Sequence, residues 1–136
     1  MPHLVVLYTP NLDGRTDMPA LCRRLADVML EQRDEDGRQA FPTGGTRVLA
    51  FPAAHYAVAD GKADYAFIYL NLRMAAGRSE AVKKKTGDEL LAIVKAHIGP
   101  IFGQQLLGCT LQIDEPLGQV YDGKHSNLHP LFNRKH

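Results

Sequence analysis

Asp64-Tyr65-Ala66-Phe67-Ile68-Tyr69-Leu70-Asn71-Leu72 is the stretch that decides the fold of this 136-residue chain. Tyr65, Phe67, Tyr69 and Asn71 alternate with Ala66, Ile68, Leu70 and Leu72, which is the period of a strand. Both faces are largely apolar, so the strand belongs in the middle of a sheet with something packed on each side. Leu4-Val5-Val6-Leu7-Tyr8 has the length and residue types of a second buried strand. The two open a repeat: strand, turn, a helix with a hydroxyl or acid cap, strand. It runs once over about residues 2–58 and again over about 64–114, leaving a tail at 115–136. Two β-α-β units sharing one sheet predict an α+β domain, with a four-stranded mixed sheet and two helices packed on one face. The other face is then bare, and a single domain spanning 1–136 has nothing left to cover it. Symmetric self-association is the economical answer.

The elements between these strands read as follows. After the turn chemistry of Thr9 to Gly14, Thr16 or Asp17 caps a helix from Met18 to Gln32 or Arg33. Leu21, Cys22, Leu25, Val28 and Met29 form its apolar face. Asp34 to Thr46 is a polar loop in which Gly44-Gly45 reads as an ordinary flexible turn. Arg47 to Phe51 is a strand, broken at Pro52 and resuming around His55 to Val58; the proline places it at an edge or a bulge. Ala59-Asp60-Gly61-Lys62 is a hairpin-type turn. Ser79 caps a helix that runs to about Gly99, with Glu80 suiting the positive end of its dipole. Lys83-Lys84-Lys85 lies on its solvated face. Cys109 to Asp114 is the last strand, stopped by Pro116, and residues 117–136 read as irregular chain that crosses onto a neighbouring subunit.

Composition narrows the function classes. A formal net charge of +1 gives no reason to expect nucleic acid or an anionic membrane as a partner. No apolar run approaches the ~20 residues of a membrane span, and the first residues lack the basic stretch and length of a signal peptide. Two cysteines, Cys22 and Cys109, are no disulfide framework, which predicts a reduced, cytoplasmic protein. The histidines are scattered; His125 and His129 stand four apart with no cysteine or carboxylate at a ligand spacing, so no metal site is expected.

Chemistry concentrates in three residues. Pro2 follows the initiator methionine, whose removal leaves a secondary amine at the head of a buried strand. An amine held beside apolar walls loses solvation of its charged form, and its pKa falls toward that of a general base. The plain alternative is an ordinary Met-Pro start. Arg47 opens a strand after a glycine-rich loop, and Arg78 sits between Gly77 and a helix cap, where a guanidinium fork and free amides make an anion site. A surface arginine in a salt bridge is the alternative for either. Arg73 is a weaker candidate of the same kind.

Taken in order, Met1-Pro2-His3, the Phe41-Pro42 to Arg47 loop, Ala59-Asp60-Gly61, Asp64-Tyr65-Ala66-Phe67, Gly77-Arg78-Ser79 and Asn127-Leu128-His129-Pro130-Leu131-Phe132 resemble the 5-carboxymethyl-2-hydroxymuconate Δ-isomerases of the tautomerase (4-oxalocrotonate tautomerase and MIF-like) superfamily. The resemblance covers nearly the whole chain. It implies a homotrimer, no cofactor, a carboxylate or small dicarboxylate substrate and a place in aromatic catabolism. It also implies that Pro2 is the catalytic acid/base and that Arg47 and Arg78 grip the substrate. Leu7 stands where an acidic residue is expected, Leu49 where a second arginine is, and residues 31–40 form a longer, more charged connection. These departures bear on pocket shape and charge, so another proline-based tautomerase of 2-oxo acids, or a non-enzymatic trimer that binds a carboxylate or a partner protein, stays open.

Overall fold

A computed structural model of the chain describes residues 2–132. Its elements are β1 (His3–Tyr8), α1 (Met18–Glu31), β2 (Arg47–Pro52), β3 (Tyr65–Arg73), α2 (Glu80–Phe102), β4 (Leu106–Asp114) and a short α3 (Leu128–Phe132), with single 3-10 turns at Pro10–Leu12 and Thr43–Gly45. The four strands form one sheet in the order β2-β1-β3-β4. β1 is parallel to β2 and β3 to β4, whereas β1 and β3 meet antiparallel at the centre. The order is palindromic, as two copies of one β-α-β unit require.

Strand alternation divides the side chains between two layers. Leu4, Val6 and Tyr8 of β1 and Ala66, Ile68, Leu70 and Leu72 of β3 are buried together with Met18, Leu21, Leu25 and Met29 of α1 and Leu90, Val94 and Ile98 of α2. Both helices therefore cover the same sheet face. Asp17 caps α1 by accepting from Ala20 N at 2.9 Å, and Ser79 caps α2 by accepting from Val82 N at 3.2 Å. Each cap stabilises its helix by ~1 kcal/mol. The opposite face carries Val5, Leu7, Leu49, Phe51, Phe67 and Tyr69, of which Leu7, Leu49 and Phe51 remain 44%, 46% and 48% exposed in the protomer.

Several expectations are corrected. No strand resumes at His55 to Val58. Its only available neighbour, β1, stops at Tyr8; the Ala53 N–H bonds to Tyr8 O at 2.8 Å, and then the ladder ends. The Asp-Gly turn forms, with Gly61 N–H bonding to Val58 O at 3.1 Å, but it is not a hairpin, because β1 lies between β2 and β3. α2 does not stop at Gly99: Pro100 is carried inside its last turn and Gly103 is the C-cap, while Ile98 stays buried. β4 begins three residues early, because pairing with Tyr65 to Phe67 recruits Leu106 to Gly108. Lys83 is not merely solvated: its ammonium bonds Glu115 at 2.9 Å and Glu80 at 2.7 Å, with 15% of the side chain exposed. The tail contains α3, and residues 133–136 lie outside the described residues.

Candidate active site

β1 starts at the end of the sheet where β2 also starts and β3 finishes. The register sets His3 between Arg47 and Arg73. Pro2 is buried immediately ahead of them. Beyond β3 the chain turns through Gly77, whose φ of +127° is a conformation that L side chains rarely adopt. That turn delivers Arg78 to the head of α2. Its Nε donates to Ala40 O at 2.9 Å and a terminal nitrogen donates to Ala75 O at 3.3 Å. The guanidinium carbon lies 4.5 Å from the centre of the Phe41 ring, which is itself fully buried. The fork is thus fixed by two carbonyls and an aromatic plane before any ligand arrives. Burial lowers the Arg78 pKa, and the Glu115 charge opposes that shift.

Pro2 and Arg78 line one cavity of about 410 Å³, together with Pro42 and Ala75. Its remaining wall is the C-terminal segment: Lys124, Ser126, His129 and Pro130. Arg47 does not line it. Arg47, His3 and Arg73 border an adjoining recess of about 400 Å³ that shares Ala75 and Lys124 with the first. The sequence therefore pointed to two residues that meet and a third that stands next door. It did not point to Lys124, Ser126 or His129. His129 stood out as half of a histidine pair and within the Asn127–Phe132 stretch, with no role attached to it, and nothing local said that its segment folds back over Pro2. A larger recess, about 500 Å³, runs between α1 and β2 beside Cys22 and Phe132. Burial raises the Cys22 pKa, so that recess holds no activated thiol. Among the described residues no group of three or more His, Cys, Asp or Glu side chains is placed to hold a metal ion. No helix among them is long and apolar enough to cross a membrane.

The electrostatic character of this end is cationic. Burial first, then the Arg47 charge and more weakly that of Arg73, hold the His3 pKa below its ordinary 6.5. The unfolded chain then binds the proton more readily than the native one, so His3 contributes stability above pH ~6.5 that is lost as the pH falls through its native pKa. An NMR titration should place the His3 midpoint below 6.5, and a midpoint at or above that value would mean the site lacks this field.

The sheet and the two helices that cover one of its faces are an arrangement found in other solved structures. The fold is shared with a solved structure of W0 fused 4-OT, a wild-type symmetric trimer, which matches 88% of this chain and 93% of its own at a TM-score of 0.55, with 14% identity. The chain belongs to the 5-carboxymethyl-2-hydroxymuconate isomerase family, whose model matches residues 2–132, and it is an isomerase. The 5-carboxymethyl-2-hydroxymuconate Delta-isomerase of Escherichia coli is 28% identical over 132 residues, 97% of this chain and 99% of that protein. A crystal structure of 5-carboxymethyl-2-hydroxymuconate delta-isomerase is 52% identical and covers all of this chain and 95% of its own, at a TM-score of 0.93. The isomerase from Deinococcus radiodurans R1 is 36% identical, covers 98% of this chain and 95% of its own, and superposes at a TM-score of 0.84.

Proposed function

We propose that this isomerase converts 5-carboxymethyl-2-hydroxymuconate into its 2-oxo isomer, with the amine of Pro2 as acid and base. The observation that carries the reading is the single cavity shared by a buried Pro2 and a pre-fixed Arg78. The relatives' names supply the substrate. Once Met1 is removed, the Pro2 amine takes the proton of the 2-hydroxyl, and electrons move through the diene. The same amine then returns a proton at the far carbon. One proton is taken and one given, so the conversion is redox-neutral and calls for no electron acceptor. Arg78 binds the adjacent carboxylate and favours the charge that spreads onto the 2-oxygen. Arg47, from the adjoining recess, reaches a carboxylate lying farther along the substrate. Burial and neighbouring cations disfavour a charged amine, which suits a base that works near neutral pH. The two cysteines, both free, suit a reducing cytoplasm.

The test is a purified protein whose intact mass lacks Met1, followed spectroscopically with the dienol. Absence of turnover by such a protein sinks the substrate assignment. Turnover of phenylenolpyruvate in its place would favour a broader tautomerase of 2-oxo acids.

The assembly proposed is a homotrimer that buries the sheet face left open by α1 and α2. Leu7, Leu49 and Phe51 form an apolar strip there, and strips of that kind mark contact surfaces. Phe51→Asp should shift sedimentation from three copies toward one. A wild-type protein that sediments as a monomer would remove the trimer.

A further inference from the structure

Lys124 stands between two recesses. It lines the Pro2–Arg78 cavity and also the neighbouring one that holds His3, Arg47 and Arg73. The lysines and arginines along the pair are Arg78, Lys124, Arg47 and Arg73, against Asp122 as the one lining carboxylate among the described residues. Asp122 is paired with Lys124 itself. The groove is therefore cationic along its length, with Lys124 midway and its counter-ion within the same tail.

The tail is held over Pro2 by a specific seat. Ser126 Oγ accepts from Leu128 N at 3.0 Å and opens α3. α3 lies directly on Gly44: a Cβ there would stand 2.8 Å from the Cα of His129 and 3.0 Å from its nitrogen. Those are backbone atoms that have no rotamer with which to yield. Gly44 is thus not an ordinary flexible turn, because its missing side chain is what lets α3 dock. Docking brings His129 and Pro130 to the cavity wall and leaves Lys124 at its border.

We propose that Lys124 is a specificity-determining residue of this site, reading a second carboxylate several carbons from the reacting enol, and that the seating of α3 on Gly44 holds it in position. The proposal rests on the reading of the Pro2 cavity as the substrate site. With one carboxylate on Arg78, an extended polyanion reaches Lys124, whereas a substrate with a single carboxylate does not. Asp122 competes for the same ammonium, so removing its charge works in the opposite direction from removing Lys124.

The test compares kcat/KM for 5-carboxymethyl-2-hydroxymuconate with that for phenylenolpyruvate, which has one carboxylate. Lys124→Met should lower the ratio about tenfold or more, chiefly through KM, because a charge-assisted hydrogen bond is lost for one substrate alone. Asp122→Asn should raise it, a change that a merely structural tail would not produce. Gly44→Ala should lower it as Lys124→Met does; a folded Gly44→Ala protein with the wild-type ratio overturns the seating. If the wild type turns over neither enol, the isomerase reading fails, but calorimetry with adipate and hexanoate still decides this one. Adipate should bind the wild type more tightly, and Lys124→Met should abolish that preference. A ratio and an adipate preference both unchanged in Lys124→Met overturn the proposal.

Discussion

Replacing Pro2 by alanine lowers kcat by roughly two to four powers of ten while the fold persists, the usual contribution of a positioned acid/base. The substitution keeps an amine at the same place just ahead of β1 but makes it primary, unconstrained by a ring and less well packed in its buried position. KM should change far less than kcat, since Arg78 and the other cations remain. The matching pH profile rises with pH on its acidic limb, because only the neutral amine accepts a proton. That limb should lie below the ~7.7–8.0 of an ordinary α-amine, since burial and positive neighbours disfavour the charged form. Intact mass must accompany each assay. A variant that retains Met1 has an amide in place of the free amine at position 2, and its activity would be uninformative about the alanine. A correctly processed Pro2→Ala protein with wild-type kcat would remove Pro2 from the chemistry.

The second large effect belongs to Arg78. Arg78→Ala should reduce kcat/KM by about 10²–10³, the cost of losing one pre-organised donor to developing charge. It should also destabilise the protein by about 1–3 kcal/mol, because the Ala40 carbonyl loses its partner and Phe41 its stacked cation. Arg78→Lys separates the two roles. A lysine keeps the charge but cannot bond Ala40 and Ala75 while facing a carboxylate, so most of the activity loss should persist as stability partly returns. Thermal melts measured beside the kinetics resolve the split. A folded Arg78→Ala enzyme with undiminished kcat/KM would exclude the arginine from binding substrate.

What the sequence disclosed and what it hid follow from the range of the interactions. β3 was legible because alternation and apolarity on both faces are local properties, and its central place in the sheet followed from them. α1 was legible from Leu21, Leu25 and Met29 at helical spacing. The limits of β4 were not, since Leu106-Leu107-Gly108 has no strand pattern of its own and is extended only by pairing with β3. The Asp-Gly turn misled because a local turn signal says nothing about which strand lies alongside. In the site, Pro2 and Arg78 were visible because each sits where an element begins, a position that sequence marks. Lys124 and His129 come to the cavity from more than 100 residues beyond Pro2 by way of a contact with Gly44. A glycine chosen for the absence of a methyl group looks no different, in sequence, from one chosen for flexibility.

The palindromic strand order has a stoichiometric consequence. Each half of the fold presents the head of a central strand at one end of the sheet, so the architecture offers two equivalent stations per chain. Only the first would hold a free chain amine, that of Pro2, once Met1 is removed. At the other, Tyr65 continues from Asp64 through an amide, and Asn11 and Arg15 tie that corner shut through Asp64. A reagent that labels the Pro2 amine at this station should therefore saturate at one equivalent per chain, with half of the duplicated frame chemically silent.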